Sequence, residues 1–148
     1  MKFIYLCFAF ILSSCCLGER KCGQGNLFGT FRLVNSINNQ DLVFGPNKLY
    51  DKDSIKFYSL NGNDTIFHNY NAGAFSGNTQ DSFLMVRFDE SKRETVYVKL
   101  NASDTDTLKV VYQTITPQCC DQYSTIVAFN YNNTILETND QEVTIINK

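Results

Sequence analysis

Thr95-Val96-Tyr97-Val98-Lys99-Leu100 decides the fold class. Val96, Val98 and Leu100 fall on one side of an extended chain, and Thr95, Tyr97 and Lys99 on the other. That is the period of two expected of a strand with one dry face and one wet face. The same texture continues in both directions. Strands are expected at Phe28–Val34, Leu42–Phe44, Ser54–Leu60, Thr65–Asn71, Ser82–Phe88, Glu94–Leu100, Asp106–Ile115, Tyr123–Tyr131 and Glu142–Asn147. No window sustains a helical period, so the chain reads as all-β, an antiparallel sandwich or barrel.

Individual pairings are legible too. Asn61-Gly62 marks a hairpin between Ser54–Leu60 and Thr65–Asn71, since both residues accept positive φ. Asn132-Asn133 should turn the chain after Tyr131. Phe83-Leu84-Met85-Val86 is apolar on both faces and belongs in the middle of a sheet. Gly45–Asp53 and Ala72–Asp81 read as long connections, where binding usually lives.

The amino-terminal residues carry a different signal. Lys2 precedes an unbroken apolar run, Phe3 to Leu12. As a helix that run reaches only ~15 Å, about half a bilayer core, so it fits a signal-peptide core and not a membrane span. Leu12-Ser13-Ser14-Cys15 follows and resembles the bacterial lipoprotein cleavage box. The resemblance implies removal of residues 1–14 and acylation of the Cys15 thiol. Cys16 fits less well, because Ser13 would then stand where Leu is wanted; a plain secretory signal would leave both thiols bare. Several acyl chains would anchor the domain stably, whereas one holds only marginally. Residues 15–26 are polar and glycine-rich and read as a flexible tether, leaving 27–148 as a single domain. Only Glu19 is acidic near the anchor, which favours the periplasmic leaflet by comparison with similar lipoproteins displayed outside.

Six cysteines become four once Cys7 leaves with the signal and Cys15 is acylated. In an oxidising compartment Cys16, Cys22, Cys119 and Cys120 suggest disulfides. Cys119 and Cys120 are adjacent and on a strand would point to opposite faces. The favoured pairing joins Cys22 to one of them, with Cys16 a candidate for the other. Soft-metal binding by Cys22, Cys119 and Cys120 with His68 or Met85, or a redox-active pair, are weaker readings without a C-x-x-C motif.

Three resemblances bear on the body. Phe31 to Gly45 (FRLVNSINNQDLVFG) resembles the first hairpin of transthyretin-like and carboxypeptidase-regulatory-like sandwiches, with Asn39-Gln40 where Thr-Gly is usual. This implies a prealbumin-like or Ig-like β-sandwich. Asp106 to Tyr112, then Cys119-Cys120, then the aromatic strand closing at Asn132 resembles uncharacterised Bacteroidetes lipoproteins, which brings no activity. Leu27-Phe28-Gly29-Thr30-Phe31 resembles the opening of lipocalin-like domains, although Trp would be expected at Phe31; a lipocalin-like β-barrel is the alternative fold. Asp53-Ser54-Ile55, Asp64-Thr65-Ile66 and Asp106-Thr107-Leu108 each resemble the O-glycosylation triplet of that phylum, which makes Ser54, Thr65 and Thr107 candidate sugar sites.

Composition narrows the function. The 148 residues hold 13 Lys+Arg against 15 Asp+Glu, so no strongly basic nucleic-acid surface is expected. Loss of Lys2 with the signal leaves 12 against 15, a net charge of −3. There is one histidine, His68, and no tryptophan. His68 shares a predicted strand face with Ile66 and Tyr70 and reads as a packed residue more than a base. The acidic pairs Asp51/Asp53, Asp89/Glu90 and Asp104/Asp106 fall in turns, where Asp favours the turn itself. Asp104 and Asp106 with Asn101 form a weak calcium pattern that lacks the loop glycine. No phosphate-cradling glycine loop and no Gly-x-Ser-x-Gly elbow is present. The expectation is therefore a non-enzymatic, cofactor-free envelope lipoprotein, held by its lipid anchor, that binds another envelope component. The alternative is a lipocalin-like carrier of a small apolar ligand.

Overall fold

The computed structural model describes residues 22–74, 82–88, 91, 93–118, 120–136 and 142–148. Ten strands lie among them: β1 Phe28–Val34, β2 Lys56–Asn61, β3 Asp64–His68, β4 Tyr70–Ala74, β5 Ser82–Arg87, β6 Thr95–Lys99, β7 Thr105–Ile115, β8 Tyr123–Tyr131, β9 Thr134–Ile135 and β10 Thr144–Asn147. They form two sheets, a four-stranded one in the order β10-β1-β5-β4 and a six-stranded one in the order β3-β2-β6-β7-β8-β9. Every pairing between the named strands is antiparallel except β1 with β10.

The two sheets pack as a β-sandwich. Neither closes on itself, so the lipocalin-like barrel is set aside. The reason lies in the interior. Val96, Val98 and Leu100, the dry side of the deciding segment, are fully buried. They meet Phe31 and Leu33 of β1, Leu84 and Val86 of β5, and Leu108 and Val110 of β7 in one core. Phe31 stands at its centre, with ring contacts to Phe57, Phe88 and Phe129. Each such buried side chain contributes roughly 1.5–3 kcal/mol, so a barrel hollow enough for a ligand would forfeit a large part of that burial.

β5 lies between β1 and β4, as its two apolar faces require. Other expectations are corrected. Leu42–Phe44 is not a strand. Asp41 makes a single bridge to Val34, and its carboxylate then accepts the N–H groups of Val43 and Phe44, which bends the chain out of the ladder. Thr65–Asn71 is two strands in different sheets. β3 ends at His68, the chain passes through Asn69, and Tyr70 opens β4 in the opposite layer. Part of the expected loop Ala72–Asp81 is therefore strand. The β2–β3 turn is Gly62-Asn63, one residue later than expected, with Asn61 paired to Asp64 and Gly62 at φ 61°. Asn132 and Asn133 do turn the chain, both at positive φ (46° and 68°), and lead into the unexpected short β9.

β7 and β8 are longer than their neighbours. After a register shift at Val111/Tyr112 the pair continues with Tyr112 and Ile126 still packed against the core, and Gln113–Ile115 against Tyr123–Thr125 forms its outer arm. Cys120 lies beyond the end of this arm and is disulfide-bonded to Cys22. The last part of the expected tether is consequently not free. Asn26 accepts from Ile126 N–H, and its own N–H donates to Thr125 Oγ1 at 3.3 Å. Gly25 runs so close to β8 that a Cβ there would lie 1.6 Å from the Ser124 carbonyl oxygen. The folded body thus includes residues from Cys22 onward.

Candidate functional site

The connection from β1 to β2 caps one end of the sandwich. Leu42, Val43 and Tyr50 turn into the core, and the Leu42 carbonyl accepts from both Leu49 and Tyr50 N–H. The loop is anchored at these points, with Phe44 packed against the core and residues 45–48 exposed between them.

Beside it opens a cleft of about 450 Å³ lined by Arg32, Asn39, Gln40, Asp41, Phe44, Gly45, Pro46 and Asn47. Arg32 occupies an outward position of β1, between the inward Phe31 and Leu33. Its Nε donates to Asp41 Oδ2 at 2.9 Å. Asp41 is buried, and its other oxygen accepts Val43 and Phe44 N–H at 2.8 Å each. One carboxylate therefore fixes both the loop and the arginine. The remaining Nη groups of Arg32 have no partner among the described residues. Planar donors in a fixed fork, amide side chains and one aromatic ring suit a ligand with acceptor oxygens and an apolar face.

A polar network supports this end from below. Tyr50 donates to Asp104 Oδ2 at 2.7 Å, and Tyr131 donates to Asp106 Oδ2 at 2.5 Å. Lys148 Nζ donates to both carboxylates, at 2.8 Å to Asp104 and also to Asp106. Asn132 completes the set, giving its amide N–H to Asp106 Oδ1 and accepting from Thr107 N–H. Burial would raise the Asp106 carboxyl, but the hydrogen bonds from Lys148, Tyr131 and Asn132 outweigh it and hold the group below the ordinary carboxylate range. Burial, then the bond to Asp104, pushes the Tyr50 phenol up; burial and Asp106 do the same to Tyr131. Burial works to lower the Lys148 ammonium, and its two carboxylate partners more than reverse this.

The candidates read from sequence are scattered. Asp104 and Asp106 are brought together, but a lysine ammonium sits between them, and Asn101 spends its oxygen on Ser103. No metal-binding cluster is found among the described residues. His68 is buried, with Nε2 2.8 Å from Ser59 Oγ, and the Ser59 hydroxyl donates to Thr95 carbonyl. This serine–histidine pair lies against Phe88, and His68 also borders a second cleft. That cleft, of about 330 Å³, lies at the corner around Asn69, lined by Phe57, Phe67 and Tyr70 among others. Cys22 pairs with Cys120, which is one of the two partners foreseen for it. Cys15, Cys16 and Cys119 lie outside the described residues. Ser54, Thr65 and Thr107 are all exposed.

Arg32, Asp41, Tyr50 and Lys148 were not foreseen as a site. The turn was read at Asn39-Gln40, and nothing in the sequence joined Asp41 to an arginine nine residues earlier. Comparison with protein-family models, curated proteins and solved structures finds no match.

Proposed function

We propose that this chain is a lipid-anchored envelope protein that works by contact, binding another envelope component through the cleft at Arg32. The observation that carries the reading is the Cys22–Cys120 disulfide, which suits an oxidising compartment and lies shortly after the candidate anchor Cys15. Seven residue steps from Cys15 to Cys22 span at most about 25 Å, so an acylated Cys15 would keep the β7–β8 arm close to the membrane. β7 runs eleven residues from that arm to the Asp104/Asp106 end, roughly 33 Å away, where the cleft opens. A partner would therefore meet the cleft on the side turned from the lipid. The reading places the protein on the outer membrane facing the periplasm, with Ser54, Thr65 and Thr107 as accessible sites for sugars. Turnover is not part of the proposal: Ser59 is fully buried, and His68, which borders the second cleft, is nearly so. The carrier reading receives no support from an interior filled by Phe31, Phe57, Phe88 and Phe129.

A photo-crosslinking side chain placed at Asn47, with one at the exposed Gln122 as control, tests the cleft in cells. The expected outcome is one discrete envelope adduct from Asn47 that is absent from Gln122 and is lost with Arg32→Ala. The same adducts from both positions, or an Asn47 adduct indifferent to Arg32→Ala, would contradict the proposal.

A further inference from the structure

On the outward face of the six-stranded sheet, three rings lie in register across β3, β2 and β6. Phe67 is opposite Tyr58, and Tyr58 is opposite Tyr97. Tyr58 and Tyr97 stack at 5.2 Å between centroids, and Phe67 stands 6.2 Å from Tyr58. Phe67 is 60% exposed. The next rung of the ladder places Lys56 directly opposite Lys99. Like charges facing each other across a pair of strands weaken the pairing. Neither lysine has an ion-pair partner among the described residues; Lys56 has only the Phe67 ring, 5.9 Å from its nitrogen. Lys109 borders the ring row on the other side, in loose contact with Glu94 at 3.8 Å.

Folding gains nothing from two opposed ammonium groups beside an exposed phenylalanine. The arrangement becomes favourable when an anion lies along the row. Tyr58, Tyr97 and Lys99 are paired on both sides, so strand addition is open only at the outer edge of β3 and cannot reach the opposed lysines. Recognition must use ring edges and faces, two phenol hydroxyls without partners among the described residues, and ammonium groups. One ring per strand sets the aromatic centroids 5.2 and 6.2 Å apart, an interval comparable to one pyranose ring. Only Phe67 in the row is wholly apolar, which suits a hydroxylated ligand better than a hydrocarbon surface. We infer that this face of β3, β2 and β6 binds an acidic polysaccharide, its sugar rings on Phe67, Tyr58 and Tyr97 and its carboxylates on Lys56 and Lys99. The inference stands apart from the Arg32 cleft and from lipidation.

Purified chain carrying Cys15→Ser, so that no acyl chain contributes, is run by affinity electrophoresis through gels holding polygalacturonate or dextran. It is also sedimented with phosphatidylglycerol vesicles. Retardation by polygalacturonate alone is expected, weakening as salt rises. Lys99→Glu turns the opposed lysines into an attractive pair, so the variant should fold; its affinity for polygalacturonate should fall about tenfold or more. Equal retardation by dextran, capture by vesicles without polygalacturonate binding, or no binding at all would overturn the inference. So would unchanged affinity in Lys99→Glu that melts like the parent.

Discussion

The ring of Phe129 crosses from the six-stranded sheet to lie edge-on against Phe31 of the four-stranded sheet, centroids 4.9 Å apart and planes at 74°. Gly29 makes this possible. It shares the inward face of β1 with Phe31, and a Cβ on it would come within 2.6 Å of Phe129 Cζ and of Phe31 Cζ. The contact that joins the two layers therefore depends on a missing side chain two residues away.

Gly29→Ala should force both rings out of place and lower stability by about 1–3 kcal/mol, the usual cost of overpacking. Urea unfolding followed by tyrosine fluorescence would measure it. A midpoint equal to the parent's would mean that the rings have room the structure does not show.

The Cys22–Cys120 bond closes a loop of 98 residues. Reducing it, or replacing both cysteines by alanine, should remove about 4–5 kcal/mol on the loop-entropy account and undock residues 22–26 from β8. Denaturant midpoints with and without reductant, together with amide exchange at Ile126, report the two effects separately. Slow exchange at Ile126 in the reduced protein would show that the docking stands without the bond.

Asp106 gives the acid response a direction. Its carboxyl titrates lower in the folded chain than in the unfolded one, so in acid the unfolded state binds more protons. The stability it contributes is present above the unfolded value, about 4, and is lost as pH falls through the lower folded value. Asp106→Asn should cost about 1.5–3 kcal/mol near neutrality, through the weakened bonds to Lys148 and Tyr131, and progressively less in acid. Midpoints of parent and variant should converge as pH falls; a constant gap would assign the loss to packing instead.

The strands that read most clearly in the sequence are those whose alternation meets a dry core. Phe28–Val34 and Tyr123–Tyr131 have the bounds expected of them, and Thr95–Lys99 nearly so. The failures share a cause. At Asn69 the chain changes sheets, yet β3 and β4 have the same strand-like composition on both sides, so one continuous strand was expected. At Leu42 the apolar run is real and buried, but Asp41 captures two backbone N–H groups and takes the segment out of the ladder. The cleft was invisible for the same reason. Arg32 looked like any outward polar residue, and its meaning depends on where Asp41 is brought by the turn between them. Local period carries the ladder; side-chain capture of backbone groups, which has no period, sets the corners and the site.

The most direct measurement is the intact mass of the native protein recovered from membranes. The account predicts a chain that begins at Cys15, heavier than the bare polypeptide by its acyl groups and lighter by the two hydrogen atoms removed when Cys22 and Cys120 are oxidised to the disulfide. A chain beginning at Met1, without lipid and with every thiol reduced, would contradict it.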